Sequence, residues 1–460
     1  MHGGGADVRA ARLRGTLRAL LALAWPVVVS RSTQVVVGVA DAVMVAHLGA
    51  EALAATTAGA MNAMALFILP MGTVFIVSSF SSQLFGMGDL GGARRYAWYG
   101  LAVAAGAQAV ALASIPLLPG VLRALPYEPG VRAAMGGYLA LRLLSAGAVV
   151  GMEALANYYG GLGNTRLPML ANVAAMVLNV AGNWALIDGH LGAPALGVRG
   201  AAIASTLSTG LAFLGLFAVF VREARRHGTG RLRAAELRRL LRFGLPSGVN
   251  WFLEFTAFSF FLNVVVAGLG TAAVAALMVV IQVNSFAFMP TFGLSSAGAI
   301  LVGQAIGADR KERVPRLVGV TFAVAAAWQS AVALAYVAAP DLVLSAFARD
   351  PASAPELLAV GRAMLLVSAA WQLGDAGAAV LSEALRAAGD TAFPMWARVA
   401  LAWAVFAPGS YVSVRVLGAD GSVAVGWLVA YLVALALVLL VRFRSGAWRR
   451  IALVEPSAIA

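Results

Sequence analysis

The chain contains no cysteine, so disulfides and thiolate chemistry are both excluded. Histidine occurs four times without metal-ligand spacing, and lysine once, at Lys311. No HExxH, GxSxG or carboxylate–histidine cluster is present, which leaves a membrane-embedded enzyme without a constellation to work with. A phosphate-cradling GxxxxGKS or GxxxxGKT loop is also missing, so nothing in this chain draws energy from ATP. Charge is the scarcest commodity. Only 12% of the 460 residues are charged, against about 25% in soluble domains.

What fills the chain instead is apolar: 61% hydrophobic residues with a mean hydropathy of +0.86. Crossing a bilayer takes about 20 such residues in a row. Twelve spans fit, beginning near residues 17, 54, 95, 133, 166, 199, 240, 272, 317, 356, 393 and 421. The net charge of +13 resembles that of a nucleic-acid binder until its location is considered. If loops alternate sides, one side holds 25 of the 33 basic residues and the other 7, with Arg31 left inside span 1. That asymmetry is the positive-inside signature, and it puts both termini in the cytoplasm. The leader "MHGGGADVRAARLRGT" runs into a span-length apolar stretch without a small-residue cleavage site, so it reads as the start of span 1 rather than a removable signal.

The second half repeats the first. "AWPVVVS" (24–30) matches "GLPSGVN" (244–250), and "AHLGAEALAA" (46–55) matches "AGLGTAAVAA" (267–276). "GLGNTRLPM" (161–169) matches "AAGDTAFPM" (387–395), and "GVRGAAIA" (197–204) matches "GADGSVAV" (418–425). The offsets are 220, 221, 226 and 221, so order is kept with one small insertion. A parallel duplication of six spans implies two lobes, 1–221 and 240–460, joined by the basic loop 222–239, with a substrate path between them. Pro26, Pro70, Pro246 and Pro290 recur as matched pairs inside spans, where each frees a carbonyl and permits bending.

Five acids lie within spans: Asp41, Glu153, Glu254, Asp375 and Glu383. An acid at the centre of a membrane helix costs roughly 2.5–3.5 kcal/mol on insertion scales, and such residues line cavities or relays. Glu383 stands three residues before Arg386, which predicts an interfacial i,i+3 pair. Glu153 reads either as a partner for Arg142 or as a cavity residue. Glu254 and Asp375 have no base within a turn of sequence and both reach the middle of the second lobe. Two carboxylates sharing a low-dielectric site hold a proton or recruit a cation. In the first lobe, Asn172, Asn179 and Asn183 follow i, i+7, i+11 and share one helix face; with Asn157 they are expected to form a polar pocket around Asp41. Phe252, Phe255, Phe258, Met61, Met64, Met289 and Trp371 supply adaptable apolar surface suited to planar cations. His47 and His190 fall at outer ends and read as solvated.

"GVADAVMVAHLGAEALAA", "GLPSGVNWFLEF" and "GDAGAAVLSEALRAAGDTAFPM", set in two parallel six-span halves, resemble the MATE (multidrug and toxic compound extrusion) transporters. The resemblance covers nearly the whole chain and is closest to the NorM-like bacterial branch. It implies an all-helical MATE-type fold in a bacterial inner membrane, acting as a monomer and needing no cofactor beyond a coupling ion. It further implies antiport, with H⁺ or Na⁺ driving lipophilic organic cations outward as the two lobes rock. Carried over by position, Asp41, Glu254 and Asp375 are the coupling acids, and Asn179 and Asn183 fall in a polar motif of span 5. Glu254 and Asp375 would hold metal only if the ion were Na⁺. The chain departs from the NorM-like pattern in span 8, where "AALMV" (275–279) places Met278 at a usual glutamine, and in span 10, where Trp371 replaces a tyrosine. Gln282 and Asn284 are candidates to compensate, and the loss of oxygen donors tilts the coupling ion towards H⁺. The alternative is a lipid-linked oligosaccharide flippase of the same superfamily, which would want basic residues where this chain has acids. A passive channel or scaffold leaves the duplication and the acids unexplained.

Overall fold

A computed structural model describes residues 4–124, 127–345 and 354–454, and every regular element in them is helical. Among the described residues ten helices are long and apolar enough to cross a membrane, and two bent pairs, each taken as one span, complete a set of twelve. They are α1 (Gly4–Ala46), α2 (Ala50–Met87), α3 (Leu90–Arg123), α4 (Pro129–Leu143 with Ala146–Gly161), α5 (Arg166–Asp188) and α6 (Val198–His227). The second set is α7 (Ala234–Leu269), α8 (Ala273–Gly307), α9 (Lys311–Ala338), α10 (Leu358–Ala369 with Gln372–Ala387), α11 (Ala392–Val416) and α12 (Gly421–Arg444). Each begins within several residues of its expected start, apart from α1, whose helix reaches back into the basic leader.

The four matched prolines do not break their helices. Pro26, Pro70, Pro246 and Pro290 all lie inside continuous helical segments. The sharp bends come elsewhere, 47° in α4 and 50° in α10, at residues 144–145 and 370–371, and so at the same 226-residue offset as the third repeat match. No proline sits at either break. Ser145 Oγ instead donates to the Arg142 carbonyl at 2.8 Å, and Ser368 Oγ to the Leu365 carbonyl at 2.7 Å. Hydroxyls that bond back to the preceding turn compete with the helical ladder, which is how such bends arise without proline.

Packing divides the chain into two compact units: residues 29–249, and residues 1–28 together with 250–460. The loop at 222–239 is therefore a boundary of connectivity, whereas the boundaries of packing fall inside α1 and α7. In the first unit the leading half of α7 packs on α2 through Gly244 and Gly248, spaced as a GxxxG pair. A Cβ on Gly248 would stand 2.4 Å from the Leu69 carbonyl oxygen, and one on Gly72 would stand 2.8 Å from the Gly248 Cα, so only hydrogen fits at this crossing. In the other unit Leu20 and Ala24 of α1 belong to a core with Phe261, Leu277, Leu365 and Leu435, and Val28 fills the space beside Gly293 of α8.

The connection before α7 is pinned to α3. Arg94 donates to the His227 and Gly228 carbonyls, Arg95 pairs with Glu236 at 2.9 Å, and Tyr99 donates to Glu236 while accepting from the Arg233 N–H. The expected Glu383–Arg386 pair is present. His47 and His190 are exposed; His47 reaches Asp188 at 2.7 Å, and His190 stacks on Trp184.

Candidate functional site

In the first unit three helices converge on Asp41, whose residue is 9% exposed. Asn183 on α5 donates to Asp41 Oδ1 at 2.5 Å, and Ser205 on α6 donates to Oδ2 at 3.3 Å. Asn179 completes the ring by donating to Ser205 Oγ at 2.9 Å while its own oxygen accepts from Asn183 at 3.3 Å. The helical spacing of four residues puts both asparagines on the α5 face towards α1. Gly182 lets α6 come near, since a Cβ there would lie 3.0 Å from the Ala204 methyl. Three helical turns before Asn183, Asn172 donates to Ser30 Oγ at 2.9 Å. The pairs 30/172 and 41/183 are each eleven residues apart, so α1 and α5 run in register along a polar seam. The Asn183 amide oxygen is buried without a partner among the described residues. Arg142 acts on Asp41 only through space.

The expected pocket is corrected at Asn157. Asn157 turns away from Asp41 and donates to the Glu153 carboxylate at 2.9 Å and to the Glu153 carbonyl at 2.8 Å. Glu153 is in turn held by both terminal nitrogens of Arg31, at 3.0 and 2.5 Å, so its partner is Arg31 rather than Arg142. Arg31 also lies over the Phe75 ring, 5.2 Å from its centre. Ser205 was not anticipated, although Ser205, Ser208 and Thr209 mark a polar face on α6 at helical spacing.

In the second unit the reading of Glu254 and Asp375 as acids without a base is corrected by Arg398. Its Nη1 donates to Glu254 Oε1 at 2.7 Å, and its Nη2 to Ser382 Oγ at 3.1 Å. Tyr431 lies near Arg398, and both Arg398 and Glu254 act electrostatically on Asp375. Asp375 Oδ2 accepts from Gln329 Nε2 at 3.3 Å. Arg398 escaped notice because it sits 144 residues from Glu254 and reads as part of a basic inward end; α11 begins at Ala392, which carries it nearly two turns into the helix. Gln329 gave no repeat signal at all.

Gln282 makes no hydrogen bond to either acid among the described residues, so it does not replace the missing span-8 glutamine there. Asn284 joins a separate network, accepting from Gln372 at 2.6 Å. Among the apolar candidates Met61, Met64 and Phe252 are exposed, Phe255, Phe258 and Met289 are half-buried, and Trp371 is buried at the bend of α10. Among the described residues no group of three or more histidines and acids is placed to hold a metal.

Twelve membrane-length helices, two repeated halves and an acid-centred polar cluster in each compact unit define the architecture of a two-lobed membrane transporter. The comparisons narrow this. The MatE family model matches residues 26–185 and 246–412, and the chain belongs to that family. Among its relatives is the "Probable multidrug resistance protein NorM" of Mesorhizobium japonicum, 31% identical over 83% of this chain and 84% of its own length. The protein of the same name from Neisseria meningitidis serogroup A is 30% identical over 84% and 85%. The "Multidrug resistance protein PmpM" of Pseudomonas aeruginosa is 28% identical over 88% and 85%. Solved structures share the fold at lower identity. A MATE in complex with MaL6 superposes with a TM-score of 0.85 at 21% identity, over 95% of this chain and 98% of that one.

Proposed function

We propose that this MatE-family membrane transporter exports lipophilic organic cations by antiport against inward H⁺, with Asp41, Glu254 and Asp375 as the acids that exchange proton and cargo as the two lobes rock. The relatives' names supply the drug-resistance setting, and the chemistry of the acids supplies the sign of the cargo. The observation that carries the coupling step is the Asp41 nest. Among the described residues its carboxylate is bonded by one amide and one hydroxyl, in a membrane helix, with an orphaned amide oxygen beside it. Protonation of Asp41 neutralises the charge and turns an acceptor into a donor in a cluster that has an acceptor to spare. Ion pairing supports a cationic cargo, because Arg31 and Arg398 are each matched to a glutamate and leave the acids in excess. An anionic lipid-linked oligosaccharide would meet no spare base at either pair. The 25-to-7 distribution of basic residues supports an orientation with both termini on the cytoplasmic side of an inner membrane, and the reading takes the transporter as a monomer.

The test is reconstitution in liposomes with a fluorescent organic cation, comparing an imposed ΔpH with an imposed Na⁺ gradient, for wild type, Asp41→Asn and Glu254→Gln. The reading expects ΔpH-driven transport that both substitutions abolish. Transport driven by Na⁺ alone would assign the nest's oxygens, Asn183 Oδ1 included, to a metal ion. No transport under either gradient by folded protein would favour the flippase.

A further inference from the structure

Two arginine–glutamate pairs between spans, Arg31–Glu153 and Arg398–Glu254, are built differently. Arg31 grips Glu153 with two nitrogens, Asn157 adds a third bond, and the Glu153 side chain is only 6% exposed. That pair is closed. Arg398 touches Glu254 through one nitrogen and one oxygen, and the Glu254 side chain is 44% exposed. Glu254 Oε2 has no partner among the described residues. An open carboxylate on a membrane helix faces a path for polar or charged species rather than lipid.

We propose that Arg398 is a tethered counter-cation, holding the acids of the second unit while the transporter is empty, and that an organic cation binds there by displacing it. The inference rests on the cargo class proposed above. Three features support it. When both acids are ionised, Glu254 and Asp375 keep one uncompensated charge between them with Arg398 engaged and present two with it displaced. Arg398 has somewhere to go, because Ser382 already holds it at 3.1 Å and a guanidinium carries five donors, only some of them spent on Glu254. The α7 face around Glu254 carries Phe258 at i+4, half-buried, which offers a ring face to a lipophilic cation that has lost its water.

The guanidinium thus sets both affinity and release. It makes entry of a cation a replacement rather than an addition, so that neither state leaves bare paired acids in the membrane. Its return onto Glu254 helps expel the cargo. A small hydrated ion gains less from this exchange than an organic cation, which also collects the aromatic contacts.

The experiment measures binding of tetraphenylphosphonium to purified protein by calorimetry, for wild type, Arg398→Gln and Arg398→Lys, with triphenylphosphine oxide as the uncharged control. Loss of the competing charge should tighten tetraphenylphosphonium binding about tenfold or more in Arg398→Gln. Arg398→Lys should stay near wild type, and the uncharged control should not distinguish the three. Unchanged or weaker binding by monodisperse Arg398→Gln overturns the inference. Should that variant fail to fold, wild type decides: tetraphenylphosphonium must increase modification of Arg398 by phenylglyoxal, and protection overturns the idea. Liposome transport of the same cation separates the two levels. Transport with an Arg398-independent affinity defeats this inference alone; neither binding nor transport by wild type defeats the cargo reading and takes this inference with it.

Discussion

Replacing Arg31 by methionine keeps most of its apolar stem and removes the cation from a closed site. Glu153 would be left with Asn157 as its one side-chain donor, at 2.9 Å, and a side chain 6% exposed. Removing one partner of a buried pair costs about 3–5 kcal/mol, because the remaining charge is uncompensated. Loss of the cation–π contact over Phe75 adds about 0.5–1 kcal/mol. Arg31→Met should therefore destabilise by about 4 kcal/mol. Glu153→Gln should cost less, since the amide still accepts from Asn157, and the double variant should recover most of the loss. The assay is unfolding in detergent followed by tryptophan fluorescence, run as a double-mutant cycle. A wild-type unfolding profile for Arg31→Met, or single losses that simply add, would refute the reasoning.

Three further outcomes are expected. Asn183→Ala removes the shortest bond to Asp41, and a hydrogen bond to a charged group worth about 1.5–3 kcal/mol translates to a tenfold or greater loss of transport, with cargo binding preserved; an unchanged rate would count against the nest. Gly248→Val should destabilise by about 1–3 kcal/mol because its side chain meets the Leu69 carbonyl, whereas Gly210→Ala, which meets nothing within 4 Å, should be neutral; equal melting temperatures would contradict the crossing described here. Asp420 caps α12 by accepting from the Ser422 and Val423 N–H groups, and the Ser422 hydroxyl, first among these bonds, holds its carboxyl below the ordinary range. A lowered folded value gives stability that is present at neutral pH and lost as pH falls through it. Asp420→Ala should accordingly cost about 1 kcal/mol at pH 7, with the gap closing in strong acid; a gap that persists there would assign it to packing.

The parts of the fold legible from sequence were those written in a periodic or repeated code. Span positions follow from apolar run length, and the α5 seam follows from the spacing of Asn172, Asn179 and Asn183. The i,i+3 pair of Glu383 and Arg386 needs nothing beyond helix geometry. What stayed hidden depends on contacts between helices. Arg398 reaches Glu254, Gln329 reaches Asp375 and Ser205 reaches Asp41 only after the chain has folded, and no local spacing encodes those meetings. The bends show the same divide. Proline is the visible signal, yet Pro26, Pro70, Pro246 and Pro290 are absorbed, while serines at 145 and 368 accompany the actual breaks.

The placement of the two packing boundaries inside α1 and α7 has a bearing on how such a chain came to exist and how it can be taken apart. Each repeat donates the leading part of its first helix to the unit built mainly by the other repeat. A gene encoding residues 1–221 alone would make a lobe lacking the Gly244–Gly248 segment that covers Gly72, and its own residues 20–28 would have no core to join. Only a second copy, lending its own leading segment in exchange, could close both gaps. One polypeptide carrying both halves holds the two lenders together by construction. Splitting the gene at the basic loop today should yield halves that are soluble in detergent only when they are synthesised together.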